Sequence, residues 1–220
     1  MKICYETVRN SEEIRTYITQ ADQSLLARGF TEHSFAHVTR CAEFAARILA
    51  QLGYGEHDQE LARIAGFMHD IGNVVNRHDH ALSGATMAFR ILDKMGMEPP
   101  DVAAVITAIG HHDEATGTAV DVVSAAVILA DKTDVRRNRV RNPIIASFDA
   151  HDRVNYAALS ATLKVNTEKR VIQMDLELDD AMSTVMDYFE IFLQRMMMCR
   201  RAAEVLGLKF KLVANGSRVS

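Results

Sequence analysis

The stretch FMHDIGNVVNRHDH, Phe67 to His80, places three histidines and two aspartates within fourteen positions. It directly follows Ile64-Ala65-Gly66, so the pair His69-Asp70 closes an apolar run. A helix end with only a packing role would carry Ile or Leu there. Two such polar groups side by side are either solvated or held by something cationic.

Working outward, the run from about His57 to Asp70 reads as a helix with Leu61, Ile64, Ala65 and Met68 on one face, stopped by Gly72. Before it, Phe35, Val38, Cys41, Ala42, Ala45, Ile48, Leu49 and Leu52 give a 3.6-period stripe over about 34–52 that ends at Gly53. Ser11 with Glu12 and Glu13 marks the start of a further helix running to about Arg28. Beyond the histidine-bearing loop, helices are expected over about Ser83–Met95, Asp101–Ile109 after Pro99-Pro100, and Asp121–Asp131. The last is almost wholly apolar and therefore central.

The period then changes from 3.6 to 2. ALSATLKVNTEKRVIQMDLEL alternates around Asn166-Thr167-Glu168-Lys169 and reads as a β-hairpin. A long helix over about Asp180–Leu206 and a final strand in LKFKLVA complete a β-β-α-β unit. The expected organisation is mostly α: a helical bundle over 1–155 and a small α+β unit over 156–220 packed on it. Tyr188, Phe189, Phe192 and Met196 to Met198 read as packing residues.

Composition agrees with a globular chain. Of 220 residues, 48% are hydrophobic and 25% charged, and a formal net charge of −4 dictates no class of partner. Cys4, Cys41 and Cys199 form no CxxC pair, which argues against a disulfide framework or a zinc ribbon. The N-terminus lacks a signal-like apolar stretch, and no segment approaches the ~18 continuous apolar residues of a membrane span. A cytoplasmic protein without membrane contact is expected.

The histidines carry the chemistry. Imidazoles and carboxylates bind divalent transition metals, and a dinuclear site needs about six to eight such ligands. His37 lies on an apolar helix face, His69-Asp70 and His111-His112 end two helices, His80 sits in a loop, and Asp131 ends the central helix. Each has an ordinary alternative: a hydrogen-bonded core histidine for His37, a solvated loop for His111-His112, a local ion pair for Asp131. Their joint occurrence in one helical domain favours a shared centre.

The order His37, His69-Asp70, His80-x-x-x-Gly84, His111-His112, Asp131 resembles the HD superfamily of metal-dependent phosphohydrolases, named for the His-Asp pair. AGFMHDIGN is similar to that family's hydrophobic run ending in HDIG, and VILADKTD to its closing ADxxD helix; the resemblance covers about residues 30–140. It implies that His37, His69, Asp70 and Asp131 hold one metal and that Asp70 bridges to a second completed by His80, His111 and His112. This ligand pattern is nearest to the dinuclear, HD-GYP-like branch. The sequence departs from it at Asn73, where that branch has lysine, and in ATGTAVD, which lacks Gly-Tyr-Pro.

The implied cofactors are two divalent transition metal ions, manganese or iron before nickel, cobalt or zinc, since histidine-rich sites disfavour magnesium. The implied reaction is hydrolysis of a nucleotide or other small phosphoester, monoester or diester, by hydroxide between the ions. Asp70 would orient the hydroxide, and Lys132 and Arg136, within roughly a turn of Asp131, would hold phosphate. The run VRRNRVR has no interleaved aromatic platform, so nucleic acid is not the expected partner. A homodimer is the expected assembly. Two alternatives remain open: a non-catalytic signalling or nucleotide-binding module, and a di-iron oxygenase. His33, four residues before His37, reads as a supporting or surface histidine, with a ligand role as the alternative; His78 is the alternative to His80.

Overall fold

A computed structural model describes residues 3–219. Its helices are α1 (Tyr5–Arg9), α2 (Glu12–Ala27), α3 (Phe35–Gln51), α4 (Glu56–Met68), α5 (His80–Met95), α6 (Pro99–Gly110), α7 (Val122–Lys132), α8 (Ala150–Ala157) and α9 (Val185–Val205). The strands are β1 (Ala158–Asn166), β2 (Val171–Leu178), β3 (Lys209–Ala214) and β4 (Ser217–Arg218). The mostly helical class expected from the sequence is what folds, with the small sheet at its C-terminal end.

Helix starts follow local chemistry. Ser11 and Ser34 accept hydrogen bonds from Ile14 N and Ala36 N at the heads of α2 and α3. Asp121 with Ser124, and Thr184 with Asp187, form reciprocal caps on α7 and α9. Proline at the head of α6 costs no hydrogen bond, because its missing N–H would have had no helical partner.

The core forms around α7, whose residues from Val123 to Ala130 are all buried. It packs against α3, α4, α6 and α9. One apolar cluster runs from Tyr5 and Val8 through α3, α4 and α7 into Ile172, Met174, Phe210 and Leu212 of the sheet. Strand order is β1-β2-β3-β4: β1 and β2 form an antiparallel hairpin, with Leu163 opposite Met174 and Asn166 opposite Val171. β2 and β3 are parallel, Ile172 opposite Phe210, because α9 carries the chain back across. Among the described residues, no helix is long and apolar enough to cross a membrane.

Four features differ from the sequence reading. The short helices α1 and α8 were not expected; α8 (AHDRVNYA) is too short and too polar to show a 3.6-period stripe. β4 adds a two-residue strand after a turn at Asn215-Gly216. α9 begins at Val185, where Thr184 caps it, instead of near Asp180. Most relevant to the site, α5 begins at His80, so that residue opens a helix and does not lie in a loop. Asp79 makes this possible by adopting a left-handed conformation, φ +57°, a region that Asp tolerates better than most residues.

Candidate metal centre

Five elements aim their side chains at one point. His37 projects from the first turn of α3, and Val38 and Cys41 beside it seat that face in the core. His69 caps α4, and Asp70 leads into a 3₁₀ turn, Ile71–Val74. His80 opens α5, His112 lies just past the end of α6, and Asp131 sits in the last turn of α7. His37, His69, Asp70, His80 and His112 are all at most 5% exposed.

The donors fall into two groups that share Asp70. In one, His69 Nε2 lies 3.1 Å from Asp70 Oδ2 and 3.6 Å from Asp131 Oδ1. His37 Nε2 lies 3.3 Å from Asp131 Oδ1 and 3.6 Å from Asp70 Oδ2. In the other, His80 Nε2 and His112 Nε2 lie 3.5 and 3.9 Å from the opposite oxygen, Asp70 Oδ1. One carboxylate thus offers a separate oxygen to each pair of imidazoles, and Asn73 Nδ2 fixes it by donating to Oδ1 at 2.8 Å.

The rings are oriented from behind. His69 Nδ1 donates to Gly66 O (2.8 Å), His80 Nδ1 to Arg77 O (3.0 Å) and His112 Nδ1 to Ile109 O (2.6 Å), in each case the carbonyl three residues earlier. His37 Nδ1 donates to Asp134 Oδ2 at 2.8 Å. A carbonyl can only accept, so each Nδ1 carries the hydrogen and each Nε2 turns a lone pair inward. His37 and His69 then face each other at 3.3 Å, and His80 and His112 at 3.1 Å. Lone pairs at such distances repel unless a proton or a cation lies between them. The set fits divalent ions bound by neutral imidazole and carboxylate, each ring held by a backbone or carboxylate partner on its other nitrogen.

Charge is partitioned within the centre. Burial alone would lower the His69 pKa, but the Asp70 and Asp131 carboxylates outweigh it and raise the value to about 10. Burial depresses His112 well below the ordinary range, with cationic neighbours adding to the effect, and depresses His80 against the pull of Asp70. Asp70 and Asp131 stay ionised: burial opposes this, but His69 in the first case and Lys132 in the second prevail. Near pH 7.5, His69 in metal-stripped protein therefore holds a proton that an arriving ion must displace. Loading is expected to release about one proton per chain, and affinity to rise about tenfold per pH unit between 6.5 and about 10. Calorimetry in buffers of different ionisation enthalpy measures this directly; loading without proton release would refute it.

Other residues expected from the sequence are placed variously. Lys132 is buried, bridging Asp131 Oδ2 (2.8 Å) and Glu114 Oε2 (2.7 Å). Arg136 is directed elsewhere: its guanidinium pairs with Asp134 at 2.8 and 3.0 Å and reaches toward Glu32. Among the described residues His111 joins neither group of clustered donors, and its Nδ1 is buried without a hydrogen-bond partner. His33 precedes α3, yet its Nε2 points to Asp70 Oδ2 at 4.0 Å. His78 is solvated and pairs with Asp79. Cys41 Sγ lies 3.6 Å from His37 Nδ1, but burial pushes its thiol well above the ordinary range, so it packs beside the ring as a thiol.

The centre opens into a cavity of about 240 Å³. Its wall includes His33, Arg77, Glu114 and Arg139, together with Asp152 and Asn155 of α8 and Arg195 of α9. Sequence reasoning passed over Asp134, Arg77 and this distal wall. Asp134 had a signal, since it is the second aspartate of ADKTD; Arg77 lay inside the opening stretch itself.

The HD domain family matches the chain over residues 34–153. Ribonuclease Y of Campylobacter concisus is 33% identical over 119 residues, 54% of this chain and 21% of its own length. Ribonuclease Y of Campylobacter jejuni subsp. doylei is 30% identical over the same shares. The chain thus spans about a fifth of the length of these relatives. An uncharacterised protein of Methanocaldococcus jannaschii is 24% identical over 202 residues, 81% of this chain and 77% of its own, so that similarity extends outside residues 34–153. No solved structure matches the chain.

Proposed function

Because the chain belongs to the HD domain family, whose members are largely metal-dependent hydrolases, we propose that it hydrolyses a small phosphoester, a nucleotide in the first instance. The observation that carries this reading is the division of Asp70 between two imidazole pairs, Oδ2 toward His37 and His69 and Oδ1 toward His80 and His112. His37, His69, Asp70 and Asp131 would hold one ion, and Asp70, His80 and His112 a second. When bound, such ions supply an acidified water and a positive clamp for phosphate oxygens.

The chain's own residues provide the rest. Asp134 and the carbonyls of Gly66, Arg77 and Ile109 keep the imidazoles aimed. Lys132 presents its ammonium beside Asp131, and Arg77 reaches within 3.3 Å of His80 Nε2; both line the cavity and can contact phosphate oxygens. The wall carries four cationic side chains (Arg77, Lys132, Arg139, Arg195) and five anionic ones (Asp70, Glu114, Asp131, Asp149, Asp152), a sum of −1. Two divalent ions would bring it to +3. Phosphate should therefore bind only after metal.

The test is metal content per chain, followed by hydrolysis of nucleoside monophosphates, aryl phosphodiesters and short single-stranded RNA with Mn, Fe, Co, Ni or Zn. Uptake of about two ions and turnover confined to loaded protein is the expected result. Failure to take up any of these metals would overturn the proposal. The relatives named ribonuclease Y are the reason to include RNA; a cavity of about 240 Å³ admits one nucleotide-sized group, so RNA would enter by an end.

A further inference from the structure

We propose that Arg195, on α9 and outside the segment matched by the family, is a phosphate-binding residue of this site, so that the C-terminal helix supplies part of its substrate recognition. The inference rests on the hydrolase reading above and goes beyond it by assigning a task to the β-α-β end of the chain.

Arg195 lines the same cavity as Asp70, His80, His112 and Lys132. Its guanidinium is held on two sides. Nε donates to Glu114 Oε1 at 2.8 Å, and the group lies over the Phe192 ring, 4.5 Å from its centroid. Glu114 in turn receives Lys132, and Lys132 reaches Asp131. This chain of alternating charge, Arg195–Glu114–Lys132–Asp131, runs from the C-terminal helix to the metal-facing carboxylate. Stacking and the Nε contact fix the plane of the guanidinium, while neither Nη makes a hydrogen bond among the described residues. Two fixed, unspent donors on an always-charged fork match a phosphate edge. A partner of Glu114 alone would need no such fork, since a single ammonium meets that demand, as Lys132 does on the other oxygen.

α9 is also well held for this task. Phe192 and Tyr188 are at most 1% exposed, and the helix is anchored at both ends by the parallel strands β2 and β3 that it connects. Arg195 is therefore presented from a rigid element.

The experiment titrates inorganic phosphate into metal-loaded, full-length protein by calorimetry, with metal content and thermal midpoint recorded for each variant. Arg195→Gln should keep the wild-type metal content and bind phosphate about 10- to 100-fold more weakly, the worth of charge-assisted hydrogen bonds. Arg195→Lys, which keeps the charge and the Glu114 pair without the fork, should recover part of the loss. Glu114→Gln breaks the same pair from the other side and leaves two cations unneutralised, so phosphate should bind more tightly. A purely structural pair predicts the opposite, with Glu114→Gln weakening phosphate in parallel with Arg195→Gln, and that result would overturn the assignment. Unchanged affinity in Arg195→Gln would do the same. Loaded wild-type protein that binds no phosphate would instead remove the hydrolase reading, and this inference with it.

Discussion

Asp70→Ala is expected to take bound metal from about two ions per chain to none and to lower phosphoester hydrolysis by at least about 10³-fold, equivalent to about 4 kcal/mol of barrier. Asp70 offers a separate carboxylate oxygen to each half of the centre. Oδ2 lies 3.1 and 3.6 Å from His69 and His37, and Oδ1 3.5 and 3.9 Å from His80 and His112. Removing a ligand confined to one half has a smaller reach, and His112→Ala should leave about one ion. Asp70→Ala also deprives His69 of one of the two carboxylates that raise its pKa, so that ring gives up its proton more readily, and the metal lost reflects the missing carboxylate and not a proton held on His69. Elemental analysis and initial rates on both variants decide the point. An Asp70→Ala protein that keeps two ions would show that the carboxylate is not shared.

The second large effect is expected at a residue that coordinates nothing. A Cβ on Gly72 would lie 2.0 Å from His80 O, 2.5 Å from Gly84 N and 2.7 Å from Ser83 Oγ. Two of these three atoms are backbone, so no rotamer change relieves the clash. The 3₁₀ turn after Asp70 and the head of α5 must separate, which carries His80 away from Asp70. Overpacking of this kind costs about 3 kcal/mol or more, and in a chain of this size lowers the thermal midpoint by about 6–12 °C. Gly72→Ala should therefore unfold early and lose the His80–His112 half of its metal first. Thermal scans with and without metal test this; a midpoint within about 2 °C of wild type would show that the two segments yield easily.

Much of this site was legible because its makers are local words on periodic helices. The stripe over 34–52 put His37 inward, and HDIG and ADKTD marked two helix ends that the structure brings within 4 Å of each other. What escaped reading was whatever depended on chain direction after an element ends. Arg136 is five residues from Asp131, but the chain leaves α7 at Thr133 and is extended at Arg136, φ −148° and ψ 137°, which sends its guanidinium to Asp134 and not to the cavity. The distal wall escaped for a different reason. Glu114 and Arg195 meet across 81 residues, and neither sits in a pattern that announces the other. α8, whose Asp152 and Asn155 complete that wall, is eight residues long and mostly polar, so it has no periodicity to read.

The three matching contacts His69–Gly66, His80–Arg77 and His112–Ile109 have a consequence for how tightly an ion can be held. Each ring is frozen by a carbonyl of its own segment, so the rotational freedom of three imidazoles is lost during folding and not when the ion arrives. Immobilising a side chain on binding costs about 0.5–1.5 kcal/mol. Three rings already immobile spare the binding step about 1.5–4.5 kcal/mol, roughly one to three orders of magnitude in affinity. Selection among ions is then left to the size and geometry of a template that does not relax to suit them.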